Sequence, residues 1–226
     1  MKDTKTYEIG AMLCDRDRQI TIKNLVNLML DLSFAQAKRV ESNLKTMEDK
    51  SWLLYAWDIK FLKPIREGDL VVITTIPTHM RRFYAYRNFI VKRDGEVLVR
   101  AKASFILYDR SKKRASIIDK EVQRAYGEEE EAYKGEVYKI SKNFTNERKI
   151  QLRKADFDKN GHVNNAIYFD YLMEIYDRTP SYIKLIYKNE IREGDEPILF
   201  YKTEDGKVDF KIATDRNHAY GVVTYV

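Results

Sequence analysis

The sequence contains a single cysteine, Cys14, so no internal disulfide framework is available and the chain suits a reducing cytoplasm. Its three histidines, at 79, 162 and 218, lie far from one another and from that cysteine, and no metal-ligand spacing results. Only 4 prolines and 9 glycines occur in 226 residues, which excludes collagen-like and low-complexity chains. Nowhere do about 18 apolar residues run uninterrupted, the length a membrane span requires. The opening MKDTKTYEIG has no apolar signal core, so neither an export segment nor stable membrane insertion is expected. No cofactor or metal is expected either.

What is present is the composition of a folded protein, 44% hydrophobic with 34% charged, long enough for one large domain or two of about 100 residues. Net charge is +6. Basic clusters at Arg81 and Arg82 and at Lys112, Lys113 and Arg114 fit solvated hairpin ends, and they leave room for an acidic partner. Nucleic acid is disfavoured as that partner: the aromatics alternate in strand-like runs, where packing accounts for them, and no recognition motif accompanies them.

The chain repeats itself. IREGD stands at residues 65 to 69 and again at 191 to 195, each time after an apolar-rich approach. CDRDRQITIKNL (14 to 25) aligns with ADFDKNGHVNNA (155 to 166), matching Asp15 to Asp156, Asp17 to Asp158 and Asn24 to Asn165. A longer connection in the first half, over residues 41 to 55, absorbs the different spacing of the two matches. Self-similarity at so long a period predicts a tandem duplication.

Periodicity then places the elements. A strand is predicted over 7 to 14, and Thr21 caps a helix over about 22 to 44 that is apolar on most of its circumference and must be wrapped by other structure. Strands follow at 52 to 62, 70 to 78, 83 to 93 and 96 to 109, with Asp94-Gly95 as a tight hairpin turn. GEEEEAYKGE opens a charged, solvated linker over 127 to 146. The pattern restarts with a strand at 148 to 156, a helix over about 163 to 177, and strands near 182 to 190, 196 to 203, 207 to 214 and 219 to 226. The expectation is an α+β protein of two domains, 1 to 126 and 147 to 226, each a curved antiparallel sheet around a long helix.

A duplicated fold frees one copy to lose its chemistry, so positions polar in one half and inert in the other are informative. In this alignment Asn160 faces Gln19, His162 faces Thr21, and Glu190, immediately before the second IREGD, faces Pro64. Asp158, Asn160 and His162 recur at every second residue, which in extended chain sends all three to one side. Asn160-Gly161 offers a turn into a helix starting near Val163, whose positive end would favour neutral imidazole at His162 and whose unpaired N–H groups could receive an oxyanion. His79 and His218 read as solvated loop and turn residues, and Cys14 as a small buried strand residue.

Asp158-x-Asn160-x-His162-Val163-Asn164-Asn165-x-x-Tyr168 resembles the signature of the acyl-acyl carrier protein (acyl-ACP) thioesterases, fatty acyl hydrolases built from two fused hotdog domains. The likeness extends to WLLYAWDIKFLKPIREGD, to the hairpin before GEVLVRA and to the basic segment before IIDKEV. It implies two tandem hotdog domains: an N-terminal one (1 to 126) that binds the acyl chain with a degenerate site, and a catalytic C-terminal one (147 to 226). The implied catalytic residues are Asp158, Asn160, His162 and Glu190. Plant members carry a cysteine after that glutamate; here the position is Ile191, so a carboxylate must serve, either as general base or as nucleophile. The resemblance implies hydrolysis of fatty acyl-ACP to free fatty acid, with acyl carrier protein as partner, a cytoplasmic location, and room for a homodimer. Alternatives of the same fold are an acyl-CoA thioesterase and a non-catalytic acyl-binding sensor.

Overall fold

The structure is a computed structural model that describes residues 1–139, 141, 143–176 and 179–225. The expected helix end at Asp177, the strand end at Val226 and linker positions 140 and 142 lie outside the described residues. The chain divides into two compact units, Met1–Tyr55 with Phe61–Gly135, and Ala56–Lys60 with Glu136–Val226.

In the first unit β1 (Asp3–Glu8) pairs antiparallel with β3 (Leu70–Arg81), β3 with β4 (Tyr84–Arg93), and β4 with β5 (Glu96–Asp109). The expected first strand therefore starts and ends earlier than 7 to 14. Residues 11 to 13 form a turn of 3-10 helix instead, and Cys14 only bridges Ile20. Asp94 and Gly95 both take positive φ, 50° and 81°, the conformation a two-residue hairpin turn needs. β2 (Lys50–Phe61) gives its first six residues to this unit, and β6 (Arg114–Ala115) is a short partner of β5.

Helix α1 (Ile22–Glu41) starts where Thr21 accepts the Asn24 N–H at 3.2 Å. It buries a stripe, Leu25, Val26, Met29, Leu32, Ser33 and Gln36, at the spacing of one helical face. The wrapping expected from its composition is only one-sided, since Phe34 is half exposed. A second helix, α2 (Lys120–Tyr126), has no counterpart in the sequence reading; Val122 and Tyr126 bury it against Met47, Ala85, Leu107 and Ile118. The segment after it is tied down rather than freely solvated. Asn88 is fully buried and its amide exchanges two hydrogen bonds with the backbone of Tyr133, at 2.9 Å each, while Glu131 pairs with Lys102 at 2.6 Å.

The second unit is built on β8 (Tyr182–Tyr187), β11 (Asn217–Thr224), β10 (Lys207–Ala213), β9 (Ile198–Glu204) and β7 (Asn146–Lys149), antiparallel neighbours in that order. Ala56–Lys60 of β2 pair with the outer side of β8. Gly221 permits the close approach of β11 to β8, because a Cβ there would sit 1.8 Å from the Lys184 carbonyl oxygen. Helix α3 spans only Ile167–Met173, much shorter than the 163 to 177 expected. Asn164 delays its start by taking the Ala166 N–H on its side chain and the Ile167 N–H on its carbonyl, both at 2.9 Å. Bonds of the i→i−3 type, from Glu174 to Tyr171 and from Ile175 to Leu172, close its other end.

Candidate active site

Residues 158 to 162 fold into a closed turn and not the extended segment expected. Asp158 N–H bonds to the His162 carbonyl at 2.7 Å, and Gly161 N–H returns to the Asp158 carbonyl at 3.0 Å. Inside it the Asp158 carboxylate takes two backbone donors on Oδ1, Asn160 N–H at 2.8 Å and His162 N–H at 3.1 Å, while Oδ2 receives the Asn160 side-chain amide at 3.3 Å. An acidic side chain that caps its own loop in this way fixes the loop's shape. Gly161 sits at φ +74°, which a glycine adopts without strain.

The loop is then clamped to the second IREGD. Val163 N–H bonds to the Ile191 carbonyl at 2.9 Å, and His162 bridges Arg192. This brings His162 Nε2 to 3.2 Å from Glu190 Oε2, with the imidazole one-quarter exposed and the carboxylate about half. The same Oε2 accepts from Arg192 Nη2 at 2.9 Å. Two pairs therefore form, Asp158 with Asn160 and His162 with Glu190, joined through the His162 N–H. His162 stands outside α3, so the helix-end argument for neutral imidazole and for an oxyanion site falls away.

The first repeat carries the same scaffold two residues out of step with the sequence alignment. Asp15 accepts Asp17 N–H at 2.9 Å and Gln19 N–H at 3.0 Å, and Ile20 N–H bonds to the Ile65 carbonyl at 3.0 Å. Arg66 and Arg192 N–H both bond to the aspartate ending their IREGD, each at 2.8 Å. In space Asp158 thus matches Asp15, Asn160 matches Asp17, and His162 matches Gln19, correcting the alignment that set His162 against Thr21. Pro64 still precedes the first pentapeptide as Glu190 precedes the second. The duplicated aspartate is scaffold; the imidazole and the glutamate are what the first copy lacks.

Beneath the loop lies Asp156, fully buried, a residue sequence reasoning assigned only as a match to Asp15. Burial opposes its ionisation, but Arg153, through N–H at 3.0 Å and Nε at 3.0 Å, and the Tyr171 hydroxyl at 2.9 Å outweigh that and hold its carboxyl below the usual range. Burial and the Asp156 bond push Tyr171 up. The sign is therefore that of a depressed acid: its contribution to stability is complete above the unfolded aspartate pKa of about 3.9 and is lost as pH falls through the lower folded value. The melting-temperature gap between the parent and Asp156→Asn should stay constant above about pH 5 and close on acidification below pH 4. A gap that widens in acid would contradict it.

Tyr168 and Tyr187, edge to face at 5.1 Å, frame α3. Tyr187 donates to the Asn165 carbonyl at 2.8 Å, and Tyr168 takes a backbone bond from Ile191. His218, expected in solvent, is fully buried: its ring contacts Thr214 Oγ1 at 2.9 Å and the Asn189 carbonyl at 3.3 Å, next to Glu190. His79 lies on β3, stacked on Tyr86 at 4.4 Å, and not in a loop. Cys14 is half-buried; burial, with Glu67 nearby, raises its thiol pKa, the wrong direction for a nucleophile. Ile191 is fully buried. Among the described residues no cluster of three or more metal-ligating side chains occurs, and no helix is long and apolar enough to cross a membrane.

An antiparallel sheet with few helices is shared with known thioesterases. The 12:0-ACP thioesterase of Umbellularia californica superimposes with a TM-score of 0.85 at 18% identity, covering 100% of this chain and 97% of that one. An acyl-ACP thioesterase of Bacteroides thetaiotaomicron gives 0.88 at 17% identity, over 100% and 98%. At such identity the likeness defines the class of fold, that of the thioesterases. No curated protein sequence matches the chain significantly. Residues 1–126 match the acyl-ACP thioesterase N-terminal domain and residues 139–221 the C-terminal domain, so the chain belongs to the acyl-ACP thioesterase family. It is a thioester hydrolase of fatty acyl-ACP.

Proposed function

We propose that the thioester is hydrolysed at His162 and Glu190 of the second unit, each unit being a hotdog domain whose helix is α1 or α3. The observation that carries this reading is the 3.2 Å approach of His162 Nε2 to Glu190 Oε2. Glu190 acts as general base on the attacking water, with His162 and Arg192 fixing its orientation. Asp158 has both oxygens occupied by its own turn, which favours Glu190 as the reacting carboxylate. Asn160 and His162 orient water and the thioester. The first unit, without these side chains, contributes to acyl-chain binding through α1. The setting is the cytoplasm, where one cysteine is no liability, and the unit pair allows a homodimer.

An acidic carrier surface is complemented by exposed Lys112, Lys113 and Arg114. The test compares one acyl chain on carrier protein and on CoA. Specificity for the carrier should exceed that for CoA by tenfold or more at low salt, and the ratio should shrink as salt screens the basic stretch. Equal constants on both would make the chain an acyl-CoA thioesterase, and binding of both with no turnover would make it a sensor.

A further inference from the structure

Hydrolysis at His162 and Glu190 makes no use of His218, which is fully buried on β11. An imidazole in that position costs stability unless its nitrogens are engaged, and both are. Nε2 meets Thr214 Oγ1 at 2.9 Å, and Nδ1 meets the Asn189 carbonyl at 3.3 Å. A carbonyl oxygen can only accept, so Nδ1 carries a hydrogen and donates it.

That bond falls on the stretch that carries the proposed base. β8 ends at Tyr187, and residues 188 to 190 continue as exposed chain outside any strand. His218 and its neighbour grip this stretch. Lys188 N–H and Asn189 N–H both bond to the His218 carbonyl, at 2.7 and 3.3 Å, and the Asn189 side-chain amide bonds to the Asn217 carbonyl at 2.6 Å. The ring adds the return bond, from Nδ1 to the Asn189 carbonyl. Because a peptide unit is planar, fixing that oxygen also fixes the Glu190 N–H and Cα at the other end of the plane. Beyond Glu190, the Ile191 carbonyl is held by Val163 N–H at 2.9 Å. The glutamate side chain thus springs from backbone pinned before and after it.

The first repeat has the same grip without the ring. Leu62 N–H and Lys63 N–H, which precede Ile65 as Lys188 and Asn189 precede Ile191, both bond to the Leu98 carbonyl, at 2.8 and 3.2 Å. Leu98 is therefore the counterpart of His218, and it is equally buried. Its side chain has no donor for the Lys63 carbonyl, and the residue that follows Lys63 is Pro64, where the second repeat has Glu190. Hydrocarbon is sufficient for packing at this place in the fold; the imidazole stands in the copy that also has the carboxylate. We propose that His218 is a positioning residue for hydrolysis, its Nδ1–H orienting the Asn189–Glu190 peptide so that the Glu190 carboxylate stays beside His162. This rests on Glu190 as the general base.

Kinetics and thermal melting should be compared for His218→Leu and His218→Asn, each made in the parent and in Glu190→Gln. Leucine is the first copy's own residue, so His218→Leu should melt close to the parent, yet lower kcat on acyl-carrier protein by about 10- to 10²-fold with KM within about threefold. Asparagine places an amide N–H near the position of Nδ1 but leaves a void. His218→Asn should therefore melt below His218→Leu and still keep kcat within about threefold of the parent. A packing role gives the opposite order, with activity following stability. In Glu190→Gln, His218→Leu should cost no more than about a further threefold, because the group it positions no longer reacts. Parental kcat in His218→Leu would overturn the proposal, as would an equal loss in His218→Asn or a full loss persisting in the Glu190→Gln background; each of these leaves the base in place. Parental kcat in Glu190→Gln would refute the base and the proposal with it. A check that needs no variant to fold is nitrogen-15 histidine NMR of the parent, which should show a proton on His218 Nδ1. A bare Nδ1 would overturn the proposal.

Discussion

Glu190→Gln should lower kcat on acyl-carrier protein by about 10²- to 10⁴-fold, the usual worth of a positioned general base, with KM changed only a few-fold. Glutamine keeps the shape and an oxygen for Arg192 but cannot take a proton. Oε2 is shared by His162 at 3.2 Å and Arg192 at 2.9 Å, so the carboxylate is held from two sides and its other oxygen is left to face water. His162→Ala should cost a similar factor, and the double variant little more than either, because two groups acting on one water are not additive. Gln19→Ala, the same position in the first repeat, should leave kcat unchanged. A Glu190→Gln enzyme within threefold of the parent would move the base elsewhere.

Part of the local geometry is legible in the sequence, and what is not legible has physical causes. The duplication was readable from IREGD because the pentapeptide does the same job twice: Arg66 and Arg192 N–H close the same bond to Asp69 and Asp195, and the preceding isoleucine carbonyl anchors the loop from Ile20 or Val163. Position relative to that anchor singled out Glu190. The loop register was lost by two residues because aspartates recur two apart in both copies, Asp15 and Asp17 against Asp156 and Asp158, and letters alone cannot say which one accepts the backbone donors. Only the hydrogen bonds decide. Helix α3 was overestimated because Tyr168, Tyr171 and Leu172 keep helical spacing, whereas its start is set by Asn164 acting on its neighbours' N–H groups. His218 follows Arg216 and Asn217, which read as a turn; pairing of β11 with β8 and β10 buries it.

Asp158 gives the second large effect, and the direction depends on the substitution. Asp158→Ala removes the acceptor for two N–H groups at once, and His162, whose N–H is one of them, loses its fixed distance to Glu190. Displacement of a reacting group by about 1 Å can cost 10²-fold, so kcat should fall by at least that. Asp158→Asn retains an oxygen at the same place and should keep kcat within about tenfold of the parent. Asp15→Ala breaks the equivalent turn in the first repeat and should cost about 1 to 2 kcal/mol of stability without touching kcat, because no imidazole hangs from that loop. The three variants together separate holding from reacting. If Asp158→Asn were as inactive as Glu190→Gln while its fold and melting temperature matched the parent, the carboxylate of Asp158 would itself be required at the thioester. Glu190 would then be the group that orients His162, and the division of labour between the two acids would have to be exchanged.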